Sequence, residues 1–181
     1  MLLALCKVNH IKFLKGSAGF YTSIFRGTPL LLQLILIYYA IPQLTGYTIS
    51  IWEAGILTFT LNSGAYVSEH IRAGINGVDK GQMEAALSLG ISYPLIMKDI
   101  ILPQAIRLIL PSLVNEAIDL IKESSLISVI GGADILRRAN IVASEKYLYF
   151  EPLLVAGLLY YILVMILTFA AQILEKKLRT T

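Results

Sequence analysis

Charged side chains leave long gaps in this chain, and the gaps fix what it can fold into. Between Glu151 and Glu175 lie 23 uncharged residues, Pro152 to Leu174. As a helix they reach about 34 Å, enough to cross a hydrocarbon core of about 30 Å. A second gap of 26 residues, Gly27 to Trp52, separates Arg26 from Glu53. Within it Thr28-Pro29 reads as an N-cap and a first-turn proline, and Pro42 and Gly46 read as an exit. That span covers Pro29 to Leu44, extended backwards across a kink by the apolar run from Gly19 to Phe25. Four spans are expected, at about 20–44, 52–71, 108–130 and 152–174, with a loop over 72–107.

Composition agrees. Of 181 residues, 56% are hydrophobic and 15% charged, against about 25% charged in soluble proteins. A soluble globular domain and a disordered chain are both excluded. The net charge of +3 is scattered, so no nucleic-acid partner is expected and membrane lipid is the surrounding medium. Cys6 is the single cysteine and reads as a small buried residue. His10 and His70 each read as a lone interfacial side chain, and no metal-ligand spacing occurs. Ser124 and Ser125 have no histidine to activate them, so no catalytic residue is expected.

Basic residues set the orientation. Eleven fall on one side (Lys7, Lys12, Lys15, Arg26, Arg72, Lys80, Lys98, Arg107, Lys176, Lys177 and Arg179) and three on the other (Arg137, Arg138 and Lys146). The 72–107 loop and the C-terminus therefore belong in the cytoplasm. The whole chain reads as a single all-α polytopic domain, 1–181.

The 72–107 loop carries the densest pattern. Gln82 to Leu89 is rich in helix formers, with Gly81 before it and Gly90 suited to a C-terminal cap. A second short helix is expected from Pro94, stopping before Pro103. Two readings fit: a rigid elbow that carries force from a partner, or an amphipathic hairpin lying on the bilayer.

The fourth span is interrupted by charge. On a helix, Ser112, Asn115, Glu116, Asp119, Lys122 and Glu123 share an arc of roughly 120°. A charge costs about 2.5–3.5 kcal/mol or more at a bilayer centre, so this face belongs to a watery path or to the bundle interior. One reading is a binding surface for a small zwitterion: carboxylates for its ammonium, Lys122 for its carboxylate, Asn115 for a side-chain amide. The other is an ion-pair network, with Glu116 reaching a neighbouring helix. Asn62, Tyr66 and Glu69 lie on one face of the third span and are candidate partners across the path; Glu69 with Arg72 also reads as an edge ion pair. Gln33 reads as a helix-packing hydrogen bonder or a substrate contact. Tyr149, Tyr160 and Tyr161 read as interfacial anchors, and Gly55, Gly64 and Gly157 as sites of close helix packing.

Glu84-Ala85-Ala86, three residues, Gly90, nine residues, then Ile100, Leu102 and Pro103 resembles the EAA loop of bacterial ABC importer permeases at every spacing. FRGTPLLLQ (25–33), LNSGAYVSEHIRAGI (61–75), KGQMEAA (80–86), ILPQAIR (101–107) and NEAIDLIKESSLISVIG (115–131) resemble the polar amino acid branch, which includes glutamine, histidine and arginine systems. The resemblance implies a permease subunit moving glutamine-like substrates by alternating access in a bacterial inner membrane. Gly81, Gln82, Glu84, Ala85, Ala86, Gly90 and Pro103 would form the coupling element for a cytoplasmic ABC ATPase dimer. Partners would also include a second permease subunit, identical or related, and an extracytoplasmic binding protein. ATP and Mg would sit on the ATPase, since no G-x-x-x-x-G-K-[ST] loop occurs in this chain. Family members usually have five spans, and on this resemblance Met1 to Leu5 reads as the last turn of a first helix that is otherwise missing. A small secondary transporter or channel is the alternative; it needs the intramembrane charges but not the EAA spacing.

Overall fold

The computed structural model describes residues 12–179. Expectations for Met1–Leu5, Cys6 and His10 lie outside these residues. Within them every regular element is helical and no strand occurs.

Helix α1 (Lys12–Gly27) is strongly amphipathic and packs on α4 (Ile51–Asn76). The next segment, Leu30–Thr45, comprises α2 (Leu30–Ile35), a π turn at Leu36–Ala40 and α3 (Ile41–Thr45). It leaves α1 at a 102° bend. The expected span at 20–44 is therefore two helices meeting at a corner, not one helix with a kink. Thr28 does not cap α2. Its hydroxyl donates backwards to the Ile24 carbonyl, 2.8 Å away, and closes the end of α1.

Helix α4 opens with a reciprocal cap. Ser50 Oγ accepts from the Glu53 amide at 3.2 Å, and Glu53 accepts from the Ser50 amide at 2.8 Å. Its 26 residues reach about 39 Å. Its main packing partner is α7 (Leu102–Glu123), which runs antiparallel to it. Small residues run along α4, where Ala54, Thr58, Ala65, Ser68 and Gly74 are buried, and Gly74 lets α7 approach. A Cβ on Gly74 would lie 2.1 Å from Ile109 Cγ1 and 3.3 Å from the Ala105 carbonyl oxygen. One on Gly55 would lie 2.8 Å from Ile127 Cδ1, whereas Gly157 has open space, so close packing holds at Gly55 and not at Gly157.

Apolar clusters lock the two ends of the α4–α7 pair. Val78, Ala86, Ile96, Ile101, Ala105 and Ile109 form one; Leu34, Ile49, Ala54, Ile127 and Ile130 form the other. The first holds the loop. Helix α5 (Lys80–Ser88) is capped by Asp79 and leads through Gly90 to α6 (Tyr93–Leu95). The chain then takes a π turn at Ile96–Ile101 and enters α7 without a stop at Pro103. The wide turn, in which the Leu102 amide bonds the Met97 carbonyl, moves aside the carbonyl that a proline ring would otherwise strike.

After α7 the chain narrows to a 3₁₀ turn, Ser124–Ile130. The polar stretch that follows is itself helical: α8 (Ile135–Lys146), capped by Asp134, whose carboxylate accepts from the Arg137 amide at 2.8 Å. Helix α9 (Phe150–Arg179) packs on α8 and α7. Tyr160 is not a free interfacial anchor, because its hydroxyl donates to Asp134 at 2.9 Å. By length and composition, Phe150–Ile173 qualifies alone as a membrane span, and the bent pair Lys15–Gly27 with Leu30–Thr45 qualifies jointly. Helices α4 and α7 are long enough but carry polar faces.

Candidate functional site: a carboxylate-lined cavity and an exposed elbow

Those polar faces meet. Between α4 and α7 lies a cavity of about 360 Å³ lined by Asn62, Tyr66, His70, Ser112, Asn115, Glu116, Asp119 and Glu123. Helical spacing explains the set: 62, 66 and 70 recur every four residues, as do 112, 116 and the pair 119 and 123.

Glu116 is the best-held carboxylate. One oxygen accepts from Ser63 Oγ at 2.9 Å, and the other lies 3.5 Å from His70 Nε2. Its side chain is 14% exposed. His70 is thus neither lone nor merely interfacial. The i, i+4, i+8 spacing from Asn62 was the signal for it. Asp119 and Lys122 pair at 2.6 Å and are each about half exposed (56% and 52%). Lys122 does not line the cavity. Glu123 makes no ion pair among the described residues.

Gln33 sits elsewhere, buried at the corner between α1 and α2. Its amide nitrogen donates to the Phe25 and Thr28 carbonyls at 2.9 and 3.1 Å and to Thr28 Oγ1 at 2.9 Å. Its oxygen accepts from Asn62 Nδ2 at 3.0 Å, and that nitrogen also donates to the Phe25 carbonyl at 3.0 Å. Gln33 and one end of Asn62 are therefore committed to holding the corner against α4. Glu69 also turns away from the cavity: Arg72 binds it through two nitrogens, at 2.7 and 3.0 Å, and Arg26 lies 3.7 Å away. The Arg26 guanidinium stands 5.3 Å from the centre of the Tyr66 ring.

The elbow is anchored on one face and exposed on the other. Ala86 is 3% exposed and anchors α5 in the end cluster. Gly90 adopts φ +72°, a left-handed conformation that suits glycine. The Gly90 amide bonds the Leu87 carbonyl at 2.9 Å and the Ile91 amide bonds the Ala86 carbonyl at 3.2 Å, closing the helix end. Gly81, Gln82, Glu84, Ala85 and Pro103 are exposed. So are Leu87 and Leu89, at 52% and 79%. These two large apolar side chains stand in the open on the same short helix as Glu84 and just beyond its end.

Residues 1–180 match the family of binding-protein-dependent transport system inner membrane components. The chain belongs to that family. It is an ABC importer permease of the inner membrane, a translocation component and not a small secondary carrier or channel. It is 60% identical over 178 residues to a putative glutamine transport system permease of Rickettsia felis, covering 98% of this chain and 82% of that protein. It is 51% identical over 180 residues to the arginine transport system permease of Bacillus subtilis, covering 99% and 82%. Among solved structures it matches an amino acid ABC transporter crystallised with histidines, at 44% identity and a TM-score of 0.92 over 97% of this chain and 81% of that one. The MetNI methionine transporter, at 17% identity and a TM-score of 0.77 over 98% and 84%, shares the fold.

Proposed function

We propose that this permease passes polar amino acids into the cytoplasm through the α4–α7 cavity, and that the cavity gives a cationic side chain the strongest hold. One observation carries the second part. Three carboxylates, Glu116, Asp119 and Glu123, line the cavity, while Lys122 does not. A glutamine-like amide finds partners in Asn62, Tyr66 and Asn115. An arginine-like side chain also gains charge-assisted bonds, about twice as strong as neutral ones: first to Glu123, and to Asp119 and Glu116 in competition with Lys122 and with Ser63 and His70.

The engine lies outside this chain. A cytoplasmic ABC ATPase dimer, holding ATP and Mg, grips α5 through Gln82, Glu84, Ala85, Leu87 and Leu89. Ala86 transmits the push to the end cluster that joins α4 and α7, and Gly81, Gly90 and Pro103 shape the turns. ATP-driven closure tilts the helices to open the path outward, and hydrolysis resets it. A second permease subunit completes the pathway, an extracytoplasmic binding protein delivers the substrate, and the C-terminus is cytoplasmic. The 11:3 distribution of basic residues supports this orientation.

Uptake of labelled arginine by the reconstituted transporter, with unlabelled competitors, tests the reading. Lysine and arginine should compete better than glutamine, and Asp119→Asn should weaken amino acid-stimulated ATP hydrolysis while assembly persists. Glutamine competing ten times better than arginine would remove the cationic preference. Coupling is tested separately: changing Glu84 and Gly90 together should abolish co-purification with a P-loop ATPase, and an unaffected complex would overturn the grip assigned to α5.

A further inference from the structure

Helix α1 has three faces, and two of them are unaccounted for by transport. Ala18 and Thr22 are buried, and the Tyr21 hydroxyl donates to the Leu61 carbonyl, fixing the helix on α4. On another face Phe13, Phe20 and Ile24 are 80%, 70% and 42% exposed and fall within about 40° of one another at helical spacing. On the face opposite that stripe, Lys15 and Arg26 line a cleft of about 530 Å³ with Ser23, Glu69 and Arg72.

Among the described residues, three cations and one carboxylate line the cleft. Glu69 is already engaged by both arginines, so the described residues of the cleft sum to two positive charges. Lys15 makes no ion pair among the described residues. A helix with an aromatic stripe on one side and cations on the other lies along a membrane interface. The 102° corner after Gly27 turns α1 away from the segment that follows it, as that placement requires. The stripe then enters the acyl region while the cleft stands at the level of lipid phosphates.

We propose that this cleft is a binding site for an anionic phospholipid headgroup, its phosphate held by Lys15, Arg26 and Arg72. The inference rests on the chain spanning a membrane and not on the amino acid assigned to the cavity. Ser23 supplies a hydroxyl at the cleft wall, and paired basic side chains at a membrane surface give such sites their preference for negative headgroups. The site also touches the transport path. Arg26 reaches both Glu69 and the ring of Tyr66, so a phosphate bound there acts next to a side chain that lines the cavity.

Native mass spectrometry of the full chain purified from membranes, titrated with phosphatidylglycerol or phosphatidylcholine, tests the site. The wild type should retain phosphatidylglycerol preferentially. Lys15→Gln should reduce that preference about fivefold and Lys15→Gln with Arg26→Gln about 25-fold, following the usual gain per basic residue at an anionic surface. Arg107→Gln, an exposed cation outside the cleft, should leave it unchanged. Equal retention by wild type and Lys15→Gln would overturn the proposal, as would an equal loss in Arg107→Gln. Binding of inorganic phosphate in the cleft without discrimination between the two lipids would assign the site to a free anion and overturn the lipid.

Discussion

Helix α4 buries small and polar side chains among its neighbours, whereas only 6% of the most apolar stretch of α9 is buried within the subunit. The difference reverses the usual sense of a core. In a bilayer the apolar surface needs no hiding, so α9 carries bulky aliphatic side chains outward. Association in lipid is driven by close packing and by polar groups that find partners, and those gather around α4, which bonds the corner of α1 and α2 on one side and Glu116 of α7 on the other. The helix that reads most clearly as a span contributes no residue to the cavity between α4 and α7. The pair that reads poorly holds the cavity.

The largest test of this contrast is steric. Gly74→Val places a side chain where Ile109 Cγ1 already stands, 2.1 Å from the Cβ position, with the Ala105 carbonyl behind it. Backbone cannot give way as a side-chain tip can, so a loss of about 3 kcal/mol is expected. Size-exclusion fluorescence after heating should show a collapsed midpoint. Gly157→Val on α9 meets nothing within 4 Å and should leave the midpoint almost where it was. Similar losses in both variants would break the contrast.

A polar pair sharpens it. Gln33→Leu strips the corner of four hydrogen bonds, leaving the Thr28 carbonyl and part of the Asn62 amide without their partner. Buried groups left unsatisfied cost about 1–3 kcal/mol, so a loss of ~2 kcal/mol is expected. Gln172→Leu on the exposed side of α9 should be neutral by the same thermal assay. A neutral Gln33→Leu would mean that polar contacts do not hold the inner helices.

The same contrast explains which features could be read from sequence. The last span, the helical loop and the left-handed Gly90 follow from local rules: charge spacing, propensity and capping. The shared face of Asn115, Glu116 and Asp119 follows from helical periodicity. The corner after Gly27 does not, because its angle is set by bonds such as that from Asn62 to the Phe25 carbonyl, across 37 residues. Gln33 sits in an apolar run that reads as an uninterrupted span, and only the fold shows its amide spent on the turn. Periodicity alone also let Glu69 share a face with Tyr66. Arg26 and Arg72 draw that carboxylate to the other side, and His70 takes its place. Helix α8 was hidden for a plainer reason. Its charges match those of a loop, and its burial depends on Ala139 and Ala143 meeting α9.

The smallest expected effect is also the most discriminating, because it changes sign between the two regions. Gly90→Ala introduces a Cβ at φ +72°. There is open space around it, so the cost is conformational alone, about 1 kcal/mol. The Gly90 turn ends α5, and the strain should weaken the elbow; Gly90→Asn, which tolerates the left-handed region, should recover most of the loss. Gly157→Ala lies inside a regular helix with no neighbour to strike. There the methyl group removes freedom from the unfolded chain and favours the helix, a gain of up to about 1 kcal/mol. Hydrogen exchange at the α5 amides and the thermal midpoint of the whole subunit read the two effects independently. Protection lost at α5 in the first variant, with a raised midpoint in the second, fits a backbone strained at the elbow and relaxed in the lipid-facing helix. A stabilising Gly90→Ala would mean that the elbow abandons its left-handed turn, and with it the geometry that presents Glu84, Leu87 and Leu89 together.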